Sequence, residues 1–335
     1  MIMVTLALWG VLPILLKLGL NYFSAGTIAW FRFFFSFMIL FGFLFIFRSG
    51  CEILSHPPVI GMLGGTALAA NYFGMTQGVH FSGPSNAAVL IQIAPVLLVI
   101  AGVVLFRETI GSRQLVGMAM AVVGFYLFYL DRSGNAENDV HYFVANRWVM
   151  FAAVVWVLYM ICQKELSLKY PAQAINLLIY GVATIVLIPL VEWGELLKGG
   201  FAGWLILIVL GLNTLLAYGA LAEAVECIPL SLISILITLN PLITLGGMWM
   251  LATLGIEALP TENISGSGYL GGVIAVSGVV FVVASSNTKE VPKAGSEGQE
   301  EAQAGPLAGG CVCARGAKAF ACKFKLCRKR VDVPP

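Results

Sequence analysis

Three ionisable side chains lie inside or at the edge of long apolar stretches of the sequence: Lys17, Arg32 and Glu223. An ionisable group at the centre of a membrane helix costs ~2.5–3.5 kcal/mol on insertion scales, so such a group suggests a functional role. Lys17 and Arg32 could bind an anionic group such as a carboxylate, and Glu223 could carry a coupling proton. The alternative is that Lys17 and Arg32 extend to the lipid headgroups and that Glu223 faces water at the membrane interface.

Uncharged polar and aromatic side chains in the same stretches form a second set of candidates. Amides and phenols in hydrocarbon need hydrogen-bonding partners, which either a substrate or a neighbouring helix can supply. The polar members are Asn71, Tyr72, Gln77, Asn86, Gln92, Asn176, Tyr180, Asn213, Tyr218 and Asn240. Trp9 and Trp156 are interpreted either as walls of a cavity or as anchors at the membrane interface.

Signatures of catalysis and of cofactor binding are missing from the sequence. Residues 266–271 fit the pattern G-x-G-x-x-G, but no βαβ unit surrounds them, so the match is interpreted as a false positive. The sequence contains no Walker A motif, no H-E-x-x-H and no G-x-S-x-G, and its three histidines are widely dispersed. We therefore expect no catalytic residues, no metal, no cofactor and no ATP hydrolysis.

Composition indicates which elements carry these side chains. Of 335 residues, 59% are hydrophobic and 11% are charged, which leaves too little polar surface for a water-soluble globule. Apolar segments recur near 4–20, 27–47, 58–78, 84–105, 114–130, 147–163, 173–190, 202–222, 228–252 and 268–285. Each is close to the ~20 residues that an α-helix needs to cross the hydrocarbon. The sequence predicts an all-α integral membrane protein with about ten transmembrane helices.

Charges in the short loops predict the orientation of the chain. With the N-terminus inside, Arg48, Arg107 and Arg113 fall in inner loops, while the outer loops are richer in acidic residues. We therefore expect a multi-pass protein of the plasma or inner membrane with both termini cytoplasmic. A formal net charge of +2 gives no indication of nucleic-acid binding.

The sequence also repeats itself. Trp9 and Trp156 are 147 positions apart, and Tyr72 and Tyr218 are 146 apart. Further pairs in the same order are Lys17 with Lys164, Ser85 with Ser231, Pro95 with Pro241, and Glu108, Gly117 and Gly124 with Glu262, Gly271 and Gly278. An ordered series of this kind indicates an internal duplication.

The duplication predicts the organisation of the chain. Residues 1–130 form a first repeat, 131–146 a linking outer loop and 147–286 a second repeat. With an odd number of helices per half, about five, the repeats are inverted, and such folds place a substrate site between the halves near the midplane of the membrane. Residues 287–335 are rich in polar, basic and cysteine residues, and we expect them to form a disordered cytoplasmic tail.

These features resemble the EamA-type branch of the drug/metabolite transporter superfamily. The resemblance is carried by five features of the sequence. They are Trp9-Gly10 with Lys17, Arg32, Ala94-Pro95, Glu108 with Gly117 and Gly124, and the matching second-half residues that end in Asn240-Pro241. It implies a ten-helix inverted-repeat fold with cytoplasmic termini and a central cavity. The halves differ at Ile179, which occupies the position equivalent to Arg32, and at Val157, which stands where Gly10 would repeat.

The resemblance implies a secondary transporter, an exporter or exchanger of small metabolites such as amino acids or sugar derivatives. The expected partners are a small-molecule substrate and the lipid bilayer, without nucleic acid, and a homodimer is left open. An intramembrane enzyme is disfavoured because no paired catalytic groups stand at helical spacing on one face. A membrane receptor or scaffold would leave an inverted repeat without a mechanical purpose.

Overall fold

Helices make up all the regular structure in the described part of the chain. The structure is a computed structural model that describes residues 2–46, 51–106, 111–134, 140–167, 169–227, 238–254 and 265–286. The helices are α1 Ile2–Gly19, α2 Ala25–Ile46, α3 Val59–Ser82, α4 Pro84–Leu90, α5 Ile93–Phe106, α6 Ser112–Gly134, α7 Val140–Ser167, α8 Ala172–Leu187, α9 Trp193–Lys198, α10 Gly200–Cys227, α11 Asn240–Thr253 and α12 Gly266–Ser286. Two 3₁₀ turns lie at Cys51–Leu54 and Ile188–Leu190.

Six described helices are long and apolar enough to cross a membrane: α2, α6, α7, α8 with the turn after it, α10 and α12. The shorter α1 and the run through α4 into α5 are also apolar. These helices confirm the prediction of an all-α membrane protein, while the number of spans, about ten, stays a prediction.

The apolar segment predicted over 84–105 is two helices rather than one. Gly83, with a φ of 88°, ends α3, and Pro84 begins α4. The break between α4 and α5 falls at Ile91 and Gln92, where the backbone N–H of Gln92 donates to the carbonyl of Val89. Pro95 follows in the first turn of α5, where the missing N–H of proline costs no helical hydrogen bond.

The helix contacts reflect the duplication. Helix α1 packs on α10, and its repeat equivalent α7 packs on α3, the equivalent of α10. In the same way α1 contacts α11 while α7 contacts α5, and the equivalent helices α2 and α8 contact each other. Exchanging the two repeats therefore leaves this pattern of neighbours unchanged, as expected for two similar halves related by a pseudo-twofold axis.

The backbones of the two halves come close along α6 and α12. A Cβ atom added at Gly124 would lie 2.1 Å from the backbone nitrogen of Ala275, and one added at Gly278 would lie 2.3 Å from that of Ala121. Glycine is needed at both positions because the backbones themselves are in contact, as in small-residue interfaces of membrane helices. We call this contact, made by Gly117, Ala121, Gly124, Gly271, Ala275 and Gly278, the glycine seam.

Described helices extend into both ends of the segment that was predicted as a linking loop, 131–146. Helix α6 continues to Gly134 and α7 begins at Val140, because helices continue past the apolar core into polar residues such as His141 and Asn146. The predicted tail over 287–335 lies outside the described residues.

Candidate functional site

The duplicated tyrosines meet between the two repeats. Tyr72 projects from α3 and Tyr218 from α10, and their ring centroids are 6.5 Å apart. Each side chain is 6% exposed. The residues that the repeat aligns thus form one buried pair, to which each half contributes one ring.

A second pair completes the group. Phe33 of α2 and Tyr180 of α8 are also 147 positions apart in the sequence, and their ring centroids lie 6.0 Å from each other. Phe33 is 4.4 Å from Tyr72 and Tyr180 is 6.3 Å from Tyr218, centroid to centroid. Trp9 of α1 packs edge-on against Tyr218 at 5.4 Å. We call Phe33, Tyr72, Tyr180 and Tyr218 the aromatic cluster.

Arg32 places a guanidinium beside this cluster. The side chain is 2% exposed, and its Cζ lies 4.3 Å from the centroid of the Tyr72 ring. Its Nε donates a hydrogen bond of 3.0 Å to Oγ1 of Thr214, whose hydroxyl in turn donates to the carbonyl of Leu210. The Nη2 atom is buried and has no hydrogen-bonding partner within the described residues.

Two of the predicted amides bind neighbouring helices. Nδ2 of Asn71 donates to the carbonyl of Ala152 at 2.9 Å, and Nδ2 of Asn213 donates to the carbonyl of Leu8 at 2.7 Å. These bonds connect α3 to α7 and α10 to α1, the two equivalent pairs of helices. Between the two readings of these amides, the structure supports helix packing for their nitrogens, while the buried Oδ1 of Asn213 has no partner among described groups.

Lys17 is bonded to the backbone near the end of α3. Its Nζ donates to the carbonyl of His80 at 2.9 Å, near the end of α3. A cation at the C-terminal end of a helix is favourable because the last carbonyls carry partial negative charge. Lys17 therefore has a structural contact, and a role in binding stays a prediction.

The remaining candidates are distributed around the bundle. Trp156 packs against the main hydrophobic core, and Gln77 is half-buried on α3. Asn176 is buried on α8, and Gln92 is buried at the break before α5. The buried Oδ1 of Asn240, at the start of α11, has no described partner. The side chain of Glu223 lies outside the described residues, although its backbone belongs to α10. Substrate contact stays a prediction for each of them.

Phe33 and Thr214 were not among the residues predicted from the sequence. Phe33 occupies the repeat position of Tyr180, so the offset of 147 could have identified it, but α2 contains many phenylalanines and none stands out. Thr214 has no comparable signal, because its importance comes only from the approach of Arg32.

On the side predicted to be outer, the halves are in direct contact. The backbone amide of Ser24, at the start of α2, donates to Oε2 of Glu195 at 2.7 Å. Trp30 packs edge-on against Trp193 at 5.2 Å. We call these contacts between the start of α2 and α9 the outer contact; they close this end of the interface between α2 and the second repeat.

A groove of about 590 Å³ lies elsewhere, on the surface of α6 and α7. It is lined by Tyr129, Phe143, Asn146, Arg147 and Met150. None of these belongs to the aromatic cluster. We place the candidate site at the cluster because its arginine is buried among rings of both repeats, whereas Arg147 in the groove is exposed. Within the described residues, no three His, Cys, Asp or Glu side chains come together as a metal site would require.

Comparisons with known proteins agree with this architecture. A model of the EamA-like transporter family matches residues 1–130 and 144–284. An uncharacterized transporter of Haemophilus influenzae is 27% identical over 281 residues, which cover 83% of this chain and 92% of the relative. The uncharacterized inner membrane transporter YhbE of Escherichia coli is 31% identical over 282 residues, covering 82% of this chain and 87% of the relative.

A solved crystal structure shares the fold. It is 15% identical to this chain and aligns with a TM-score of 0.58, covering 84% of this chain and 94% of its own. The resemblance inferred from the sequence is therefore confirmed at the level of the family. Because the family model covers both halves and YhbE is 31% identical over most of its length, the chain is a multi-pass membrane protein that belongs to the EamA-like transporter family.

Proposed function

We propose that the protein is a secondary transporter, an exporter or exchanger, that moves small metabolites such as amino acids or sugar derivatives by alternating access between its two repeats. The observation that carries the proposal is the aromatic cluster, in which each repeat contributes one ring to each of two equivalent pairs. A site at the interface of two similar halves is exposed to one side of the membrane or the other when the halves rock.

The contacts around the cluster suit this mechanism. Near the outer contact the halves are joined by the Ser24–Glu195 hydrogen bond, by a hydrogen bond from the backbone N–H of Glu192 to Thr27, and by packing of rings and backbone. These contacts can separate without unfolding a helix. The glycine seam joins the same halves backbone to backbone and can serve as the pivot. By similarity to YhbE we place the protein in an inner membrane, and the loop charges favour cytoplasmic termini.

The test is flux of labelled amino acids, sugars and organic acids through purified protein in liposomes, with and without a pH gradient. Saturable flux of one chemical class, with trans-stimulation by the same class, is the expected result. Folded, monodisperse protein without flux of any compound would contradict a transport function and would favour an intramembrane enzyme or a receptor.

A further inference from the structure

Within the described residues, no negative charge lies beside Arg32. Its described partners are the hydroxyl of Thr214 and the ring of Tyr72, both of them neutral groups, and no described carboxylate lies against it. Burying a cation costs a large desolvation free energy, which pairing with a negative charge can offset. A hydroxyl and an aromatic face compensate this cost only in part, since a desolvated cation–π contact contributes about 2 kcal/mol.

One terminal nitrogen of the guanidinium also lacks a described partner. Nε donates to Thr214, whereas the buried Nη2 has no hydrogen-bonding partner within the described residues. Guanidinium is planar, and its forked donors match the two oxygens of a carboxylate. The unsatisfied donor therefore marks the side from which an anion would approach.

Charge balance selects among anions. Arg32 supplies one positive charge, and the described groups around it add none. A phosphate ester carries about −1.5 to −2 charges near neutral pH, which would leave negative charge uncompensated in the bilayer interior. A substrate with one carboxylate and no other charge would leave no uncompensated charge.

We propose that Arg32 binds the carboxylate of the transported metabolite, so that the substrates are small compounds with one carboxylate group. This inference rests on the proposed function because it names the substrate class of the same site. The carboxylate pairs with the guanidinium, and the rest of the substrate lies against the aromatic cluster. Ile179, at the equivalent position of the other repeat, provides no second cation, so this site offers one guanidinium to one carboxylate.

The first experiment measures binding to the full-length protein in nanodiscs by thermal shift and calorimetry. The probes are three pairs of an acid and its amide: lactate and lactamide, benzoate and benzamide, propionate and propionamide. At least one acid should bind more tightly than its amide, and Arg32→Gln should weaken that binding about tenfold or more. Arg147→Gln, which removes an exposed arginine of α7, should leave it unchanged. No preference for the acid in any pair would overturn the proposal.

Stability without ligand distinguishes a substrate site from an internal ion pair. If Arg32 awaits an external anion, Arg32→Gln removes an unpaired buried charge, and the ligand-free melting temperature should stay the same or rise. If an acidic residue outside the described side chains, such as Glu223, already pairs with it, Arg32→Gln should lower the melting temperature. In that case Glu223→Gln in the Arg32→Gln background should restore it, and the proposal would be wrong.

Flux separates this inference from the proposed function. Wild-type flux of the acids, lost in Arg32→Gln, supports both. Saturable flux of uncharged compounds alone would support the transport function and contradict the carboxylate substrate. If the folded protein binds acids through Arg32 but transports no compound, the anion site is supported and the transport function is contradicted.

Discussion

The glycine seam and the aromatic cluster are both contacts between residues that the duplication pairs, but they differ in symmetry. In the seam, Gly124 meets Ala275 and its counterpart Gly278 meets Ala121, so both sides make the same contact. In the cluster the rings are paired, but Arg32 lies beside Tyr72 and has Ile179 as its counterpart.

This difference distinguishes a region that holds the helices together, the seam, from a region that can recognise a substrate, the cluster. Packing in lipid depends on close backbone approach, and a symmetric interface provides that twice from one sequence pattern. A substrate has no twofold symmetry of its own, so a site that recognises it must be asymmetric. Departures from the repeat are therefore informative, and Arg32 is a charged departure that is buried inside the described bundle.

The largest effect is expected from breaking the seam. Gly124→Ala places a Cβ against the backbone of Ala275, which no rotamer change can relieve, so α6 and α12 must separate. Overpacking of this kind costs about 1–3 kcal/mol. Melting followed by size-exclusion chromatography in detergent should show a loss of several degrees. The matched control is Gly42→Ala, because a Cβ there meets nothing within 4 Å; equal melting of the two variants would contradict the role of the seam.

Much of the fold follows from local sequence properties. Apolar length predicted the spanning helices α2, α6, α7, α8, α10 and α12, but apolar length alone did not predict the break at Ile91 and Gln92 between α4 and α5. Helix formation in hydrocarbon is a local requirement, since each backbone group must be satisfied within its own segment.

The candidate site was less predictable because side-chain partners come from other helices. The repeat aligned Tyr72 with Tyr218, but their 6.5 Å separation is a property of the folded interface. Asn71 and Asn213 were equally good candidates for substrate and for packing, and only the position of a distant carbonyl decides where their nitrogens bond. Lys17 likewise pairs with a backbone group 63 positions away.

The second effect concerns the rings of the cluster. Tyr72→Ala and Tyr218→Ala should each lower flux about tenfold while reducing folded yield much less, because both rings line the proposed path. Tyr72→Ala should be the more severe, since Tyr72 also faces Arg32. The control is Tyr126→Ala, which removes a ring that is 60% exposed on α6. Initial rates in liposomes, normalised to inserted protein, measure the difference; unchanged flux in both cluster variants would contradict the site.

A smaller effect is expected at the outer contact. Glu195→Gln removes the negative charge that receives the Ser24 amide at the start of α2, an interaction of about 0.3–1 kcal/mol. Opening on this side should become more frequent by about two- to fivefold. The rate at which a maleimide labels a cysteine introduced at Ala25, which is buried here, measures the opening. Glu165→Gln, an exposed residue near the end of α7, should have no effect on labelling.

The smallest effect is expected from removing residues 288–335. The duplicated pairs end before this segment, and the family match ends at residue 284. The glycine seam and the aromatic cluster contain no residue of this segment. Truncated protein should therefore show the same melting temperature and the same flux as the full chain. A truncated protein with normal melting but reduced flux would assign the segment a role in transport itself, whereas reduced melting with proportionate flux would assign it a role in stability.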